Sequence, residues 1–348
     1  MQILVLIIAP IGDTLFATPA LKALRNGYPQ ADIGVIATTG NIQILLGNKN
    51  IDRLITVSNK KEMITKIISL RDKTYDLVIG LSNIGSYASY MVNGRKKTGF
   101  KGKELNWIYN YNPPDDRTIH AVDYNLEIVG DVGGIPEKNP VMEIPLTISD
   151  YKIIEDLTLD NSTPYIAIHP GGKFFAFKRW PVNKYKFLVK EIDKNMNVSI
   201  ILLGGREEKQ LVNKLIDLDY SYNHFPLNLA GILSLKETAA LLDNAVLFIG
   251  NDSAPQHIAA AMNTPVISIF GPTNPGNFHP YGTEYKIIRK ERSCSPCFYW
   301  LGDLKQYLPE CIPYWLAEFS VPCLKDIKVA DVMAELESMQ LKSKILIS

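Results

Sequence analysis

Short β-rich runs alternating with longer helical patterns constrain this chain more than any other feature of its sequence. Residues 2–8, 33–37 and 77–79 read as strands, and 14–26, 60–71 and 121–132 as helices. The pattern restarts after Pro145 with the helical "SDYKIIEDL". Strands are then expected at 165–168, 198–203, 246–249 and 266–270, with helices at 184–193, 206–218, 236–244, 254–262 and finally 329–339. Alternation at this pitch implies parallel strands joined by helical crossovers. At 348 residues the chain also exceeds the size at which a single core usually stops growing. The expected fold is therefore α/β, with two Rossmann-like domains at 1–150 and 151–348. The last helix is free to pack back across the first domain.

In open parallel sheets, ligands bind beyond the carboxyl ends of the strands. The polar segments that follow the strands are thus the candidate site, and they point to a cleft between the domains. "APIGD" follows the first strand, while "HPGGKFFAFKRWP", "GGREE" and "GNDSAPQH" follow strands of the second half. Asp13 in the first segment is either a helix cap or a carboxylate that accepts a proton from an attacking hydroxyl. Gly171 and Gly172 let backbone amides approach an anion, and Lys173, Lys178 and Arg179 add positive charge beside them. The segment is not a Walker loop, because no Ser or Thr follows the lysine at the required spacing.

In "GGREE", Glu207 and Glu208 suit the first turn of a helix, or one of them accepts hydrogen bonds from ribose hydroxyls. In "GNDSAPQHIAAAM", Asp252 and Ser253 precede a helix whose free first amides can hold an anion. His257, four residues beyond Ser253, can share a face with it, either as a ligand or as a satisfied core histidine.

Charge excludes one class of partner. With 37 basic against 36 acidic residues the net charge is +1, which does not suit a protein that coats nucleic acid. The amino terminus "MQILVLIIAPIGD" lacks a basic start and reaches Asp13 after a short apolar run, so it reads as a buried strand rather than a signal peptide. No apolar stretch is long enough to span a bilayer. A cytoplasmic protein is expected, with room for peripheral attachment to the inner membrane. The four cysteines, Cys294, Cys297, Cys311 and Cys323, could form a tetrahedral site for structural zinc or iron, or remain reduced thiols.

Taken together, "IGDTLFATPALKALRNGYPQADI", "HPGG…FKRWP", "GNDSAPQHIAAAM…P" and "FGPTNP" resemble the lipopolysaccharide heptosyltransferases of the GT-B fold. The resemblance runs from about Gln2 to Gln340, with the motifs in the family's order. It implies an inverting transfer of a heptose from ADP-heptose to a hydroxyl of the lipid-linked inner-core oligosaccharide at the membrane surface, with no cofactor required for catalysis. It also assigns roles. Asp13 matches the general base, with Gly12 and Thr14 beside it on the acceptor side, and Lys178 the cation on the donor phosphates. Glu208 matches the ribose acid, with Glu207 a close rival. Asp252 matches the acid that holds the sugar hydroxyls, and Ser253, Ala254 and the helix amides meet the diphosphate. His257 shapes that helix start, Leu233 lies where the adenine rests, and Thr273 lines the donor site.

Two departures touch these assignments. Ala9-Pro10-Ile11 stand where many relatives carry a basic or hydroxyl residue before Gly-Asp, and Ala254 stands where glycine is common. Other functions compatible with the residues are a transferase for another nucleotide sugar or a protein acceptor, a sugar-nucleotide epimerase, and a non-catalytic nucleotide-sugar binder.

Overall fold

The computed structural model describes residues 1–100, 119–157, 163–172, 176–297 and 321–339. By contact the chain divides into two units, Met1–Pro145 and Leu146–Ser348.

The first unit holds strands β1 (Gln2–Ile7), β2 (Asp32–Thr38), β3 (Arg53–Val57), β4 (Tyr75–Gly80) and β5 (Gly94–Gly99). They form one sheet in the order β3-β2-β1-β4-β5, with every pairing parallel. Its helices are α1 (Ile11–Phe16), α2 (Thr18–Gly27), α3 (Ile42–Leu45), α4 (Lys60–Ser69), α5 (Asn83–Tyr90) and α6 (Ala121–Gly130). Ile3 to Ile7 of β1 are fully buried. A central strand covered by helices on both faces has no reason to alternate, which is why it reads as one apolar run. The strand order reverses between β1 and β4, so the loops after these two strands flank the switch point where such sheets place ligands.

The helix expected at 14–26 is in fact two helices joined at Ala17. Pro19 has no N–H to give to the carbonyl of Leu15, and its ring crowds that carbonyl. Thr18 Oγ1 donates to Leu15 O instead, at 2.8 Å. The break starts α1 at Ile11, immediately after the first strand's loop.

The second unit opens with α7 (Ile148–Asp156) and continues through β6 (Tyr165–His169), α8 (Val182–Asn195), β7 (Ser199–Leu202), α9 (Lys209–Asn213) and β8 (Leu227–Asn228). It then runs through α10 (Leu235–Asn244), β9 (Leu247–Asn251), α11 (Ala254–Ala261), β10 (Val266–Ile269), α12 (Pro275–Phe278) and β11 (Tyr285–Ile288). The described part closes with α13 (Pro322–Lys325) and α14 (Val329–Ser338). The six strands are parallel in the order β11-β10-β9-β6-β7-β8, and the order reverses between β6 and β9.

One core ties this unit together. Trp180 packs edge-on to Tyr185 with ring centroids 4.9 Å apart, and its indole Nε1 donates to Ile327 O. Each such buried aromatic stabilises the fold by roughly 2–3 kcal/mol. The last helix contributes Val332 and Leu336 to this core. Among the described residues no helix is long and apolar enough to cross a membrane.

Candidate donor site at the β6–β9 switch point

The end of β9 is anchored before any chemistry begins. Asn251 is wholly buried, and all of its side-chain polar capacity is used. Its Oδ1 accepts from Trp180 N and from the Tyr185 hydroxyl, both at 2.9 Å. Its Nδ2 donates to Pro170 O at 2.8 Å and to Gly171 O at 2.9 Å. One amide thereby joins three segments: the end of β9, the turn after β6, and the entrance to α8.

Asp252, the next residue, is only 5% exposed and remains ionised because of its neighbours. Lys178 Nζ donates to its Oδ2 at 2.7 Å, and Thr273 Oγ1 to the same oxygen at 2.6 Å. Gln256 Nε2 donates to Oδ1 at 3.0 Å. Burial pushes the carboxyl toward protonation, but the Lys178 charge and bond, with Thr273, outweigh it and hold the group below the usual aspartate range. Lys178, Asp252 and Thr273, far apart in the sequence, are here one hydrogen-bonded cluster.

A second acid braces the loops beside it. Glu208 accepts from Gly172 N at 2.7 Å through Oε1, and from Gly205 N at 2.8 Å through Oε2. His169 Nε2 donates to Oε2 at 3.2 Å. Burial opposes ionisation, but the His169 ring and the two amides draw the carboxyl down to about 2. This geometry also explains Gly171. A Cβ there would sit 2.0 Å from Glu208 Oε1, so no larger residue fits while the acid stays in place. Glu208 is 6% exposed with both oxygens committed to these loops, whereas Glu207 lies at the surface. The helix expected over 206–218 is for the same reason a single 3-10 turn at Arg206–Glu208 followed by the short α9. Glu208 folds back onto Gly205 and tightens that turn.

Ser253 occupies the N-cap position of α11 without capping it by side chain. Its Oγ turns back to Asn251 O at 3.2 Å and lies 3.4 Å from His169 Nδ1. The first turn of α11 thus lacks the usual hydroxyl acceptor, and Pro255 brings no N–H of its own. Ala254 is its first residue.

His257 lies inside α11's packed face, 4% exposed, and its Nε2 lies 3.2 Å from Gln256 Nε2. Burial lowers its pKa to about 4, helped by Lys178 and His279 and opposed by Asp252. An imidazole depressed in the fold binds its proton more readily when unfolded, so stability falls with pH from about 6.5 to about 4. Between pH 7 and pH 5 that loss is about 2 kcal/mol for this one residue. The carboxylates Asp252 and Glu208, depressed rather than raised, weaken the fold only at lower pH still. Urea unfolding at the two pH values should show His257→Gln losing about 2 kcal/mol less than the parent; equal losses would place the titration elsewhere.

The remaining candidates belong to other loops. Leu233 is half-buried in the turn after β8. That turn is tied to the loop after β7 by Gly231 N donating to Gly204 O at 2.8 Å, with Gly231 at φ +75°, where a side chain would be strained. In the first unit, Pro10 holds the N-cap position of α1 and Gly12 and Asp13 lie in its first turn. Asp13 is therefore not the cap, and it is partly exposed. Thr14 is fully enclosed, donating to Pro10 O at 3.0 Å and accepting from Asn41 Nδ2 at 2.9 Å, so its hydroxyl braces the loop. Lys173 and Cys311 lie outside the described residues. Cys297 and Cys323 are buried and Cys294 is partly exposed, and among the described residues no three His, Cys, Asp or Glu side chains are grouped to hold a metal ion.

Four residues without an assigned role in the sequence are central here: His169, Asn251, Gln256 and the buried Ser268, whose hydroxyl donates to the Gln256 amide oxygen. His169 and Asn251 carried one signal, being polar residues at the ends of otherwise apolar strands. Ser268 carried none, since a buried serine in mid-strand looks like any small core residue.

The chain matches Glycosyltransferase family 9 (heptosyltransferase) over residues 65–308. Lipopolysaccharide heptosyltransferase 3 of Escherichia coli K12 is 28% identical over 346 residues, spanning 87% of this chain and 96% of that protein. Among solved structures, a family 9 glycosyltransferase from Veillonella parvula superposes with a TM-score of 0.81 at 21% identity, covering 98% of both chains. The E. coli ADP-heptose lipopolysaccharide heptosyltransferase II superposes at 0.75 and 22% identity, covering 97% of this chain and 98% of that one. These likenesses show the GT-B fold that the two parallel sheets already express. With a family match over more than half its length, this chain is a glycosyltransferase and belongs to family 9, the heptosyltransferase family.

Proposed function

We propose that this protein transfers a heptose from ADP-heptose to a hydroxyl of the lipopolysaccharide inner core, with inversion at the sugar carbon. The observation that carries this is the Lys178–Asp252–Thr273 cluster beside the side-chain-uncapped start of α11. An ionised acid suits sugar hydroxyls, and a lysine and the positive end of a helix suit a diphosphate. In this reading Asp252 holds the heptose, while Lys178 and the amides about Ser253 and Ala254 neutralise the leaving ADP. Leu233 rests against the adenine. Glu208 braces the phosphate loops, which leaves Glu207 the better placed acid for the ribose.

Asp13 takes the proton from the acceptor hydroxyl as the new bond forms, so that an alkoxide need not build up. The leaving diphosphate takes the electrons of the broken bond, and positive charge around it lowers the energy of that step. The relatives' names support the donor and the acceptor. One is an ADP-heptose enzyme, and others act on lipopolysaccharide. An acceptor of that kind would place the protein at the cytoplasmic face of the inner membrane.

A thermal-shift panel of nucleotide sugars tests the donor. A ligand present at about 100 times its Kd stabilises the folded state by about 2.7 kcal/mol. ADP and ADP-heptose should therefore raise the melting temperature by several degrees and UDP or GDP sugars by less than about one. Equal responses to all would sink the adenine assignment. Conversion of ADP-heptose with no acceptor present would point to an epimerase.

A further inference from the structure

Gln256 is a fully enclosed side chain that touches both Asp252 and His257. Its orientation follows from chemistry rather than choice. Asp252 Oδ1, at 3.0 Å, and Phe278 O, at 3.3 Å, are pure acceptors, so the amide nitrogen must face them. The amide oxygen then points at Ser268, whose hydroxyl donates to it. Ser268 is itself fully buried in β10, the strand next to β9. The amide is thus held at both ends, by a strand on one side and the acid on the other.

The two oxygens of Asp252 are treated differently. Oδ2 receives Lys178 and Thr273, whereas Gln256 is the donor on Oδ1. A carboxylate oxygen accepts along two lone-pair directions. Gln256 takes one of those on Oδ1 and fixes the plane of the group, so the other direction is aimed rather than free to rotate. We infer that Gln256, set by Ser268, is a positioning residue that aims Asp252 at the sugar of the donor. This inference rests on Asp252 being the sugar-binding acid. It assigns Gln256 no contact with substrate.

Isothermal titration with ADP and with ADP-heptose separates positioning from mere support. In Gln256→Leu the affinity for ADP-heptose should fall about 10- to 100-fold, the range of one hydrogen bond to a charged group, with ADP affinity unchanged within about twofold. Donors on a carboxylate favour its ionised form, so removing one should move the acidic limb of ADP-heptose binding to higher pH. The groups facing Asp252 and its neighbour that also set this limb, Lys178, His257 and His279, are left in place.

Ser268→Ala, a smaller change, should shift ADP-heptose affinity in the same direction by about threefold, and it carries the test should Gln256→Leu not fold. Equal losses for ADP and ADP-heptose, or no loss for either, would make Gln256 a core residue only. Asp252→Asn distinguishes the two levels. If it weakens ADP-heptose but Gln256→Leu does not, only the positioning inference fails. If Asp252→Asn spares ADP-heptose as well, the sugar-binding assignment fails and the inference falls with it.

Discussion

Asp13→Asn should lower the turnover rate by about 10²–10⁴-fold, the span that a positioned general base contributes, while ADP affinity changes by less than about twofold. The substitution keeps size and shape and removes the basicity and the negative charge. Asp13 lies in the first turn of α1, with Pro10 at the cap, so the competing explanation is favourable contact with the helix dipole. That interaction contributes about 0.3–1 kcal/mol at an exposed site, which would move the melting temperature by a few degrees at most. Steady-state kinetics and a melting curve on one preparation therefore separate the two. A rate that stays within tenfold of the parent would remove Asp13 from the mechanism and leave it a helix-start residue.

Lys178→Met is expected to be the most damaging change in the second unit. Asp252 is buried, and Lys178 supplies the formal positive charge bonded to it. Removing one member of a buried ion pair typically costs 3–5 kcal/mol, because the other charge is stranded. Lys178 is partly open to solvent, with 17% of its side chain exposed, so the lower end applies: about 3 kcal/mol, or a fall of about 8 °C in melting temperature. Donor binding should be lost at the same time. The double variant Lys178→Met/Asp252→Asn neutralises the stranded acid and should regain much of the stability without regaining donor affinity. Non-additivity of that kind is the signature of a direct pair. If the double variant is no more stable than Lys178→Met alone, the instability has another origin than the buried charge.

The sheets were legible because their strands are buried on both faces, and burial leaves a plain mark of continuous apolar residues, as at Ile3 to Ile7. Strand β5 left no such mark. Its sequence "GRKKTG" lies at the edge of its sheet, where cations are tolerated and even favoured, so it reads as a loop. The candidate site was legible to the depth of residue type. Asp252, Lys178, Thr273 and Ser253 could be named from motifs at strand ends, and the structure places them about one point of the sheet.

Pairing was not legible. Nothing along the chain says that Glu208 spans from Gly205 to Gly172, or that Ser268 meets Gln256, since these contacts are made by the crossover topology. The break at Ala17 was within reach, because Pro19 announces it, but a periodic apolar pattern masked the proline.

The order of strands in the second sheet has a consequence for how the protein is made. Strand β9 inserts beside β6, although some eighty residues separate them in sequence, as in the bond from Asn251 to Pro170 with its separation of 81. Lys178 likewise waits for Asp252, 74 residues later. At synthesis rates of about 5–20 residues per second, the carboxyl end of β6 stays without its β9 partner for roughly 4–16 seconds. During that interval the nascent chain holds only the β6 half of the proposed donor site. On that reading, donor-assisted folding can begin only once Thr273 has left the ribosome.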